Sequence, residues 1–236
     1  MCRMAAFSVK KGEDISWVIE YVKQMARFGE KGPHCDGWGY VLLNTKKKVE
    51  YKSISPAYDD NKSPKLNGEE FEMGIVHARL ASNGLDKTRL QLHPFYKDGK
   101  YFAHNGTIMT ANRQNLYNSD TYDFFKHVAS FDNFDHFVKL VREYGEANEF
   151  SGMNFLMIDD LTSELYVGCY YTPGQDRKDY FTLFYGCDDE RFFVFSERPV
   201  NDYSKIPSSQ YKPMENGEIF KVSSGKIVER GNVFDV

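Results

Sequence analysis

The chain has 236 residues, of which 41% are hydrophobic and 27% charged, the balance of a globular protein and not of a disordered or collagen-like one. A formal net charge of −4 offers no general attraction to nucleic acid or to an anionic membrane, and no apolar run is long enough to span a bilayer. Neither nucleic acid nor membrane is therefore expected as a partner, and the N-terminus lacks the charged-then-apolar pattern of a secretion signal, which places the expected site of action in the cytoplasm. The 19 Phe and 16 Tyr favour an interior built on sheets, where rings pack on pleated surfaces.

In chain order, an apolar run over 4–9 predicts a strand, and polar residues lead from it into helical periodicity over 15–28. There Ile15, Val18, Ile19, Val22, Met25 and Ala26 share one face, with Asp14 as N-cap and Gly29 as C-cap. Segments 40–43 and 49–54 flank a polar turn as a hairpin, and 55–68 reads as an exposed loop. Strands are expected over 71–80 and 101–104, followed by two neighbouring helices over 120–129 and 134–144. From residue 153 onward come short strands at 154–158, 165–171, 181–187, 192–196, 219–222 and 226–229. No repeat, Pro-rich linker or low-complexity tract interrupts the chain, so 2–236 is expected to form one layered α+β domain once Met1 is removed.

The four cysteines, Cys2, Cys35, Cys169 and Cys187, include no CxxC pair, and a reducing compartment argues against a disulfide framework. A small residue at position 2 permits removal of Met1, which would leave Cys2 with a thiol and a free α-amine on one residue. Reference pKa values of about 8.5 for the thiol and about 7.7–8.0 for the amine let the neutral amine take the thiol proton without a histidine. Taken alone, Cys2 reads more readily as merely an early residue beside a strand. His77, His93, His104 and Cys35 follow no standard zinc spacing, so no metal is expected and the histidines read as buried supports.

Further along stand Asp36-Gly37-Trp38-Gly39, His77-Ala78-Arg79-Leu80-Ala81-Ser82, His93-Pro94-Phe95, His104-Asn105-Gly106, Ser119-Asp120-Thr121, Met153-Asn154-Phe155 and Ser196-Glu197-Arg198-Pro199. With Met1-Cys2 in front and in this order, the set resembles the class II glutamine amidotransferases, most closely their short stand-alone members. The resemblance covers most of the chain and implies the four-layer α/β/β/α sandwich of N-terminal nucleophile hydrolases. It implies that Cys2 attacks the side-chain amide of glutamine or a related γ-glutamyl amide, forming a thioester and releasing ammonia. The Asn105 side chain and the Gly106 N–H would then receive the oxyanion, Arg79 and Ser82 the substrate carboxylate, and Asp120 its ammonium. His93 and Trp38 would support the pocket, and no cofactor is implied.

Leu80 and Asn83 stand where larger amidotransferases carry an aromatic residue and a histidine, so substrate preference could differ. Three readings stay open: hydrolysis of free glutamine with ammonia passed to a synthetase partner in trans, hydrolysis of a γ-glutamyl peptide or conjugate, and a non-catalytic binding or regulatory subunit that keeps the fold.

Overall fold

Strand β1 (Arg3–Asp14) sends Met4 and Ala6 to one face of its sheet and Ala5 and Phe7 to the other, and all four are fully buried. A strand buried on both faces reads as an unbroken apolar run, and this pattern recurs through the molecule. The computed structural model describes residues 2–29, 32–81, 87–174, 177–200 and 206–235.

After β1 come α1 (Ser16–Phe28), β2 (Trp38–Leu43), β3 (Lys48–Ser53), β4 (Glu70–Ala78), β5 (Phe95–Lys97) and β6 (Lys100–Ile108). The helices α2 (Asp120–Val128) and α3 (Phe134–Ala147) follow, then β7 (Phe150–Asp159) and β8 (Glu164–Cys169). The chain continues through α4 (Arg177–Phe181), β9 (Phe184–Cys187), β10 (Arg191–Phe195), β11 (Lys212–Pro213), β12 (Glu218–Ser223) and β13 (Lys226–Asn232). One sheet has the order β11-β9-β10-β1-β4-β2-β3 and the other β13-β12-β8-β7-β6-β5. The paired strands run antiparallel.

Alternation along the strands divides the interior into three apolar layers. Met4, Val41, Ile75, Leu156, Val167 and Phe220 meet between the sheets, while Phe7, Tyr40 and Val76 turn outward beneath α1. Phe102, Phe155, Met157 and Tyr166 of the second sheet lie under α2 and α3, against Phe124, Phe125, Phe137 and Val141. The layers thus run helix, sheet, sheet, helix, as the α+β sandwich expectation requires. Each fully buried Val, Ile or Phe on these faces contributes roughly 1.5–3 kcal/mol. No helix among the described residues is long and apolar enough to cross a membrane.

Local departures have local causes. Asp14 does not cap α1 from the N-cap position, which Ile15 holds; its Oδ1 accepts from the Ser16 N–H and hydroxyl while its backbone stays in the β1–β4 ladder opposite Glu70. The polar segment 55–68 is not simply an exposed loop, because Ala57, Asp60 and Leu66 are buried there. Asp60 Oδ2 accepts from Trp38 Nε1 at 2.9 Å and from the Tyr51 hydroxyl at 2.8 Å, so a buried carboxylate is satisfied and ties the segment to the outer aromatic layer. Phe181 ends α4 and the following strand begins at Phe184.

Candidate active site

Both sheets deliver residues to one end of the sandwich. Arg3 of β1 pairs with Ala78 of β4, so Cys2 and Arg79, one step further, flank the same strand ends. Asn105 and Gly106 arrive on β6 of the opposite sheet, and α2 brings Asp120 as its first residue. Cys2, Arg79, Gln91, His93, Gly106 and Asp120 line a cleft between them.

The Cys2 backbone nitrogen donates to Asn105 Oδ1 at 2.7 Å across the two sheets. Because that nitrogen is a donor, the contacting side-chain atom must be the oxygen, which assigns the amide orientation by chemistry. The other end, Asn105 Nδ2, is buried with no hydrogen-bond partner among the described residues. An amide N–H left unmade in this way costs about 1–3 kcal/mol, so its position calls for a visiting acceptor. Gly106 has φ +153, and a Cβ there would lie 1.8 Å from the Gly152 carbonyl oxygen. Only glycine therefore keeps β6 against β7 at this point while presenting its backbone to the cleft.

Arg79 is 6% exposed and its Nη2 donates to Gln91 Oε1 at 3.1 Å. Asp36 fixes the backbone around it: the Asp36 N–H donates to the Arg79 carbonyl at 3.1 Å and Asp36 Oδ2 accepts from the Ala81 N–H at 2.8 Å. Lys87 Nζ lies 2.5 Å from Asp36 Oδ1. Hydrogen bonds from Lys87 and the Ala81 N–H hold that carboxyl below the usual carboxylate range against the opposing effect of burial. Asp120 Oδ2 accepts from the Ile108 N–H at 2.9 Å and Oδ1 from the Thr121 N–H at 2.9 Å, which fixes the carboxylate where α2 begins. Ser119 caps that helix by accepting from the Tyr122 N–H.

Behind the cleft lie three buried imidazoles. His104 Nε2 faces the Gly152 carbonyl at 3.0 Å, so Nε2 carries the proton and Nδ1 accepts from the Thr121 hydroxyl at 2.9 Å. His77 Nε2 is 3.2 Å from the His104 carbonyl and 3.0 Å from His93 Nδ1, and the His104 N–H also points at His93 Nδ1. His93 thus spends Nδ1 inward, which leaves its proton on Nε2 while the ring lines the cleft. Burial lowers the His77 pKa to about 3 and drives that of His93 well below the ordinary value; it also lowers that of His104, against a pull upward from Asp120. All three are neutral near pH 7 and act as fixed hydrogen-bonding groups.

Trp38 is fully buried under α1, packed on Tyr40 and Tyr51, and is not among the residues that line the cleft. Ser82 lies outside the described residues. Among the described residues no three His, Cys, Asp or Glu side chains converge as metal ligands would.

No family model and no curated protein matches the sequence. Among solved structures, the whole chain superposes on half of the glutamine phosphoribosylpyrophosphate (PRPP) amidotransferase from B. subtilis complexed with ADP and GMP, with a TM-score of 0.66 and 15% identity. A second, described as the allosteric regulatory enzyme of purine biosynthesis, matches with a TM-score of 0.70 and 16% identity, again over 100% of this chain and 50% of the other. The chain shares the fold of the matched half of each of these two structures. The chain spans about half the length of the solved structures it matches.

Within this fold, two residues support the cleft that the sequence did not mark as site residues. Gln91 is a buried polar residue in a short 3-10 turn (Arg89–Gln91), and nothing in its neighbourhood of the sequence marks it as a partner of Arg79. Asp36 sits inside a recognised motif, but its hold on the backbone of residues 79–81 depends on a strand pairing that no local pattern reveals.

Proposed function

We propose that the chain hydrolyses the side-chain amide of glutamine, or of a γ-glutamyl amide with the same free amino-acid end, through a thioester on Cys2. The observation that carries this reading is the pair of facts at Asn105: its Oδ1 accepts from the Cys2 nitrogen at 2.7 Å, and its buried Nδ2 has no partner among the described residues. With Met1 removed, the Cys2 nitrogen is an α-amine, held by that contact on the same residue as the thiol it would deprotonate. The thiolate adds to the amide carbon, and Asn105 Nδ2 and the Gly106 N–H stabilise the oxyanion. Collapse breaks the C–N bond, the protonated amine gives its proton to the leaving nitrogen, and ammonia departs. Water, deprotonated by the same amine, then adds to the thioester; glutamate and the free thiol are restored.

At the other end of the substrate, Arg79 supplies a guanidinium for the α-carboxylate and Asp120 a fixed carboxylate for the α-ammonium. The likeness to glutamine PRPP amidotransferase supports a reaction of this class. The test is to verify removal of Met1 by intact mass and then measure glutamate and ammonia release from glutamine, with Cys2→Ala alongside. The processed wild type is expected to release both in equal amounts and Cys2→Ala neither. A processed wild type inert toward both glutamine and γ-glutamyl peptides would overturn the reading.

A further inference from the structure

Gln91 makes two hydrogen-bonded connections in opposite senses with one neutral group. Its Oε1 accepts from Arg79 Nη2 at 3.1 Å, and its Nε2 donates to the Tyr117 and Asn118 carbonyls, each at 3.4 Å. Those carbonyls belong to the turn immediately before Ser119 and Asp120. Asn115 keeps the turn closed, with Oδ1 accepting from the Tyr117 and Ser119 N–H groups and Nδ2 donating to the Ser119 carbonyl at 2.8 Å. Gln91 is itself 6% exposed, so the tie runs through the wall of the cleft and not through solvent.

We propose that Gln91 is a positioning residue that sets the spacing between Arg79 and Asp120, and so selects substrates whose carboxylate and ammonium sit on a single carbon. This rests on the function proposed above. A neutral amide suits the task for a charge reason: it engages a guanidinium N–H donor without placing a negative charge beside the cation. A glutamate at this position would neutralise Arg79 internally and set oxygen against the two turn carbonyls. A residue of similar length without polar atoms would break both ties but leave the charge of Arg79 intact.

The experiment compares processed wild type, Gln91→Glu and Gln91→Met. It measures kcat and KM for L-glutamine and the inhibition constant of 4-aminobutanamide, which keeps the amine and the side-chain amide but has no α-carboxylate. For Gln91→Glu, KM is expected to rise about tenfold or more with kcat held within about threefold, the signature of lost ground-state binding. The preference for glutamine over 4-aminobutanamide should fall by a similar factor, and Gln91→Met should show a smaller change in the same direction. Thermal melting accompanies each variant, and if the Glu variant does not fold the Met variant decides. Unchanged KM, equal rises in both constants, or a fall in kcat at unchanged KM would overturn the role of Gln91 alone. Inactivity of the processed wild type would instead sink the parent reading, and this one with it.

Discussion

The floor and the rim of the cleft are held by different forces. The floor, Asn105 and Gly106 with the imidazoles behind them, rests on paired strands and fully buried hydrogen bonds, where neighbouring backbone leaves no room for adjustment. The rim, Arg79, Gln91 and Asp120, is carried by segments beyond strand ends and joined by side chains reaching backbone or one another. Groups that must meet developing charge gain most from a fixed frame, because a preorganised donor need not reorganise during reaction. Groups that grip the ends of a substrate can tolerate a looser frame if their mutual spacing is tied.

Replacing floor groups should therefore alter kcat or stability, where the Gln91 variants alter KM. The largest effect is expected from Asn105→Asp, which keeps an oxygen for the Cys2 nitrogen but removes the buried donor. Steady-state kinetics should show kcat reduced about 10²–10³-fold with little change in KM, whereas a change confined to KM would erase the distinction between floor and rim. Gly106→Ala forces a methyl toward the Gly152 carbonyl that His104 also engages. Urea denaturation should show it less stable by about 3 kcal/mol or more, and full stability would show that β7 can yield.

Buried imidazoles, in the floor and at His34 outside it, make the fold sensitive to acid. Burial lowers His77 to about 3, and burial together with the Arg3 charge lowers His34, between α1 and β2, to about 4. Each folded pKa lies below the unfolded value of about 6.5, so their contribution is complete above that pH and is lost as pH falls toward the folded values. At pH 5 each should cost about 2 kcal/mol relative to pH 7, seen as a falling urea midpoint. The slope should flatten in His77→Gln, and an unchanged slope would remove that imidazole from the account.

Much of the architecture was legible because strands buried on two faces and helices buried on one leave different periods. The runs over 4–9 and 154–158 and the helical spacing over 15–28 correspond to β1, β7 and α1. In segment 55–68 polarity averaged over many residues conceals one buried carboxylate with its partners in place, so the sequence reads there as merely exposed. Trp38 illustrates a different gap: its motif adjoins residues that reach the cleft, yet strand alternation turns its ring to the opposite face, under α1. Gln91 shows a third, since a polar residue in a short turn gains meaning only from what lies across the cleft.

By itself the sequence determined a layered α+β domain, through apolar periodicity, with the four-layer sandwich implied only by the resemblance, and offered a cysteine, an Asn-Gly pair, an arginine and an aspartate in a suggestive order. Tertiary structure decided which of them meet. Cys2, just before β1 of one sheet, and Asn105, on β6 of the other, are separated by 103 positions, so their contact depends on strand pairing and sheet packing that no local preference encodes. The orientation of the Asn105 amide, the neutral state of His77 and the tie through Gln91 arise only in the packed interior, where burial makes a hydrogen bond costly to leave unmade.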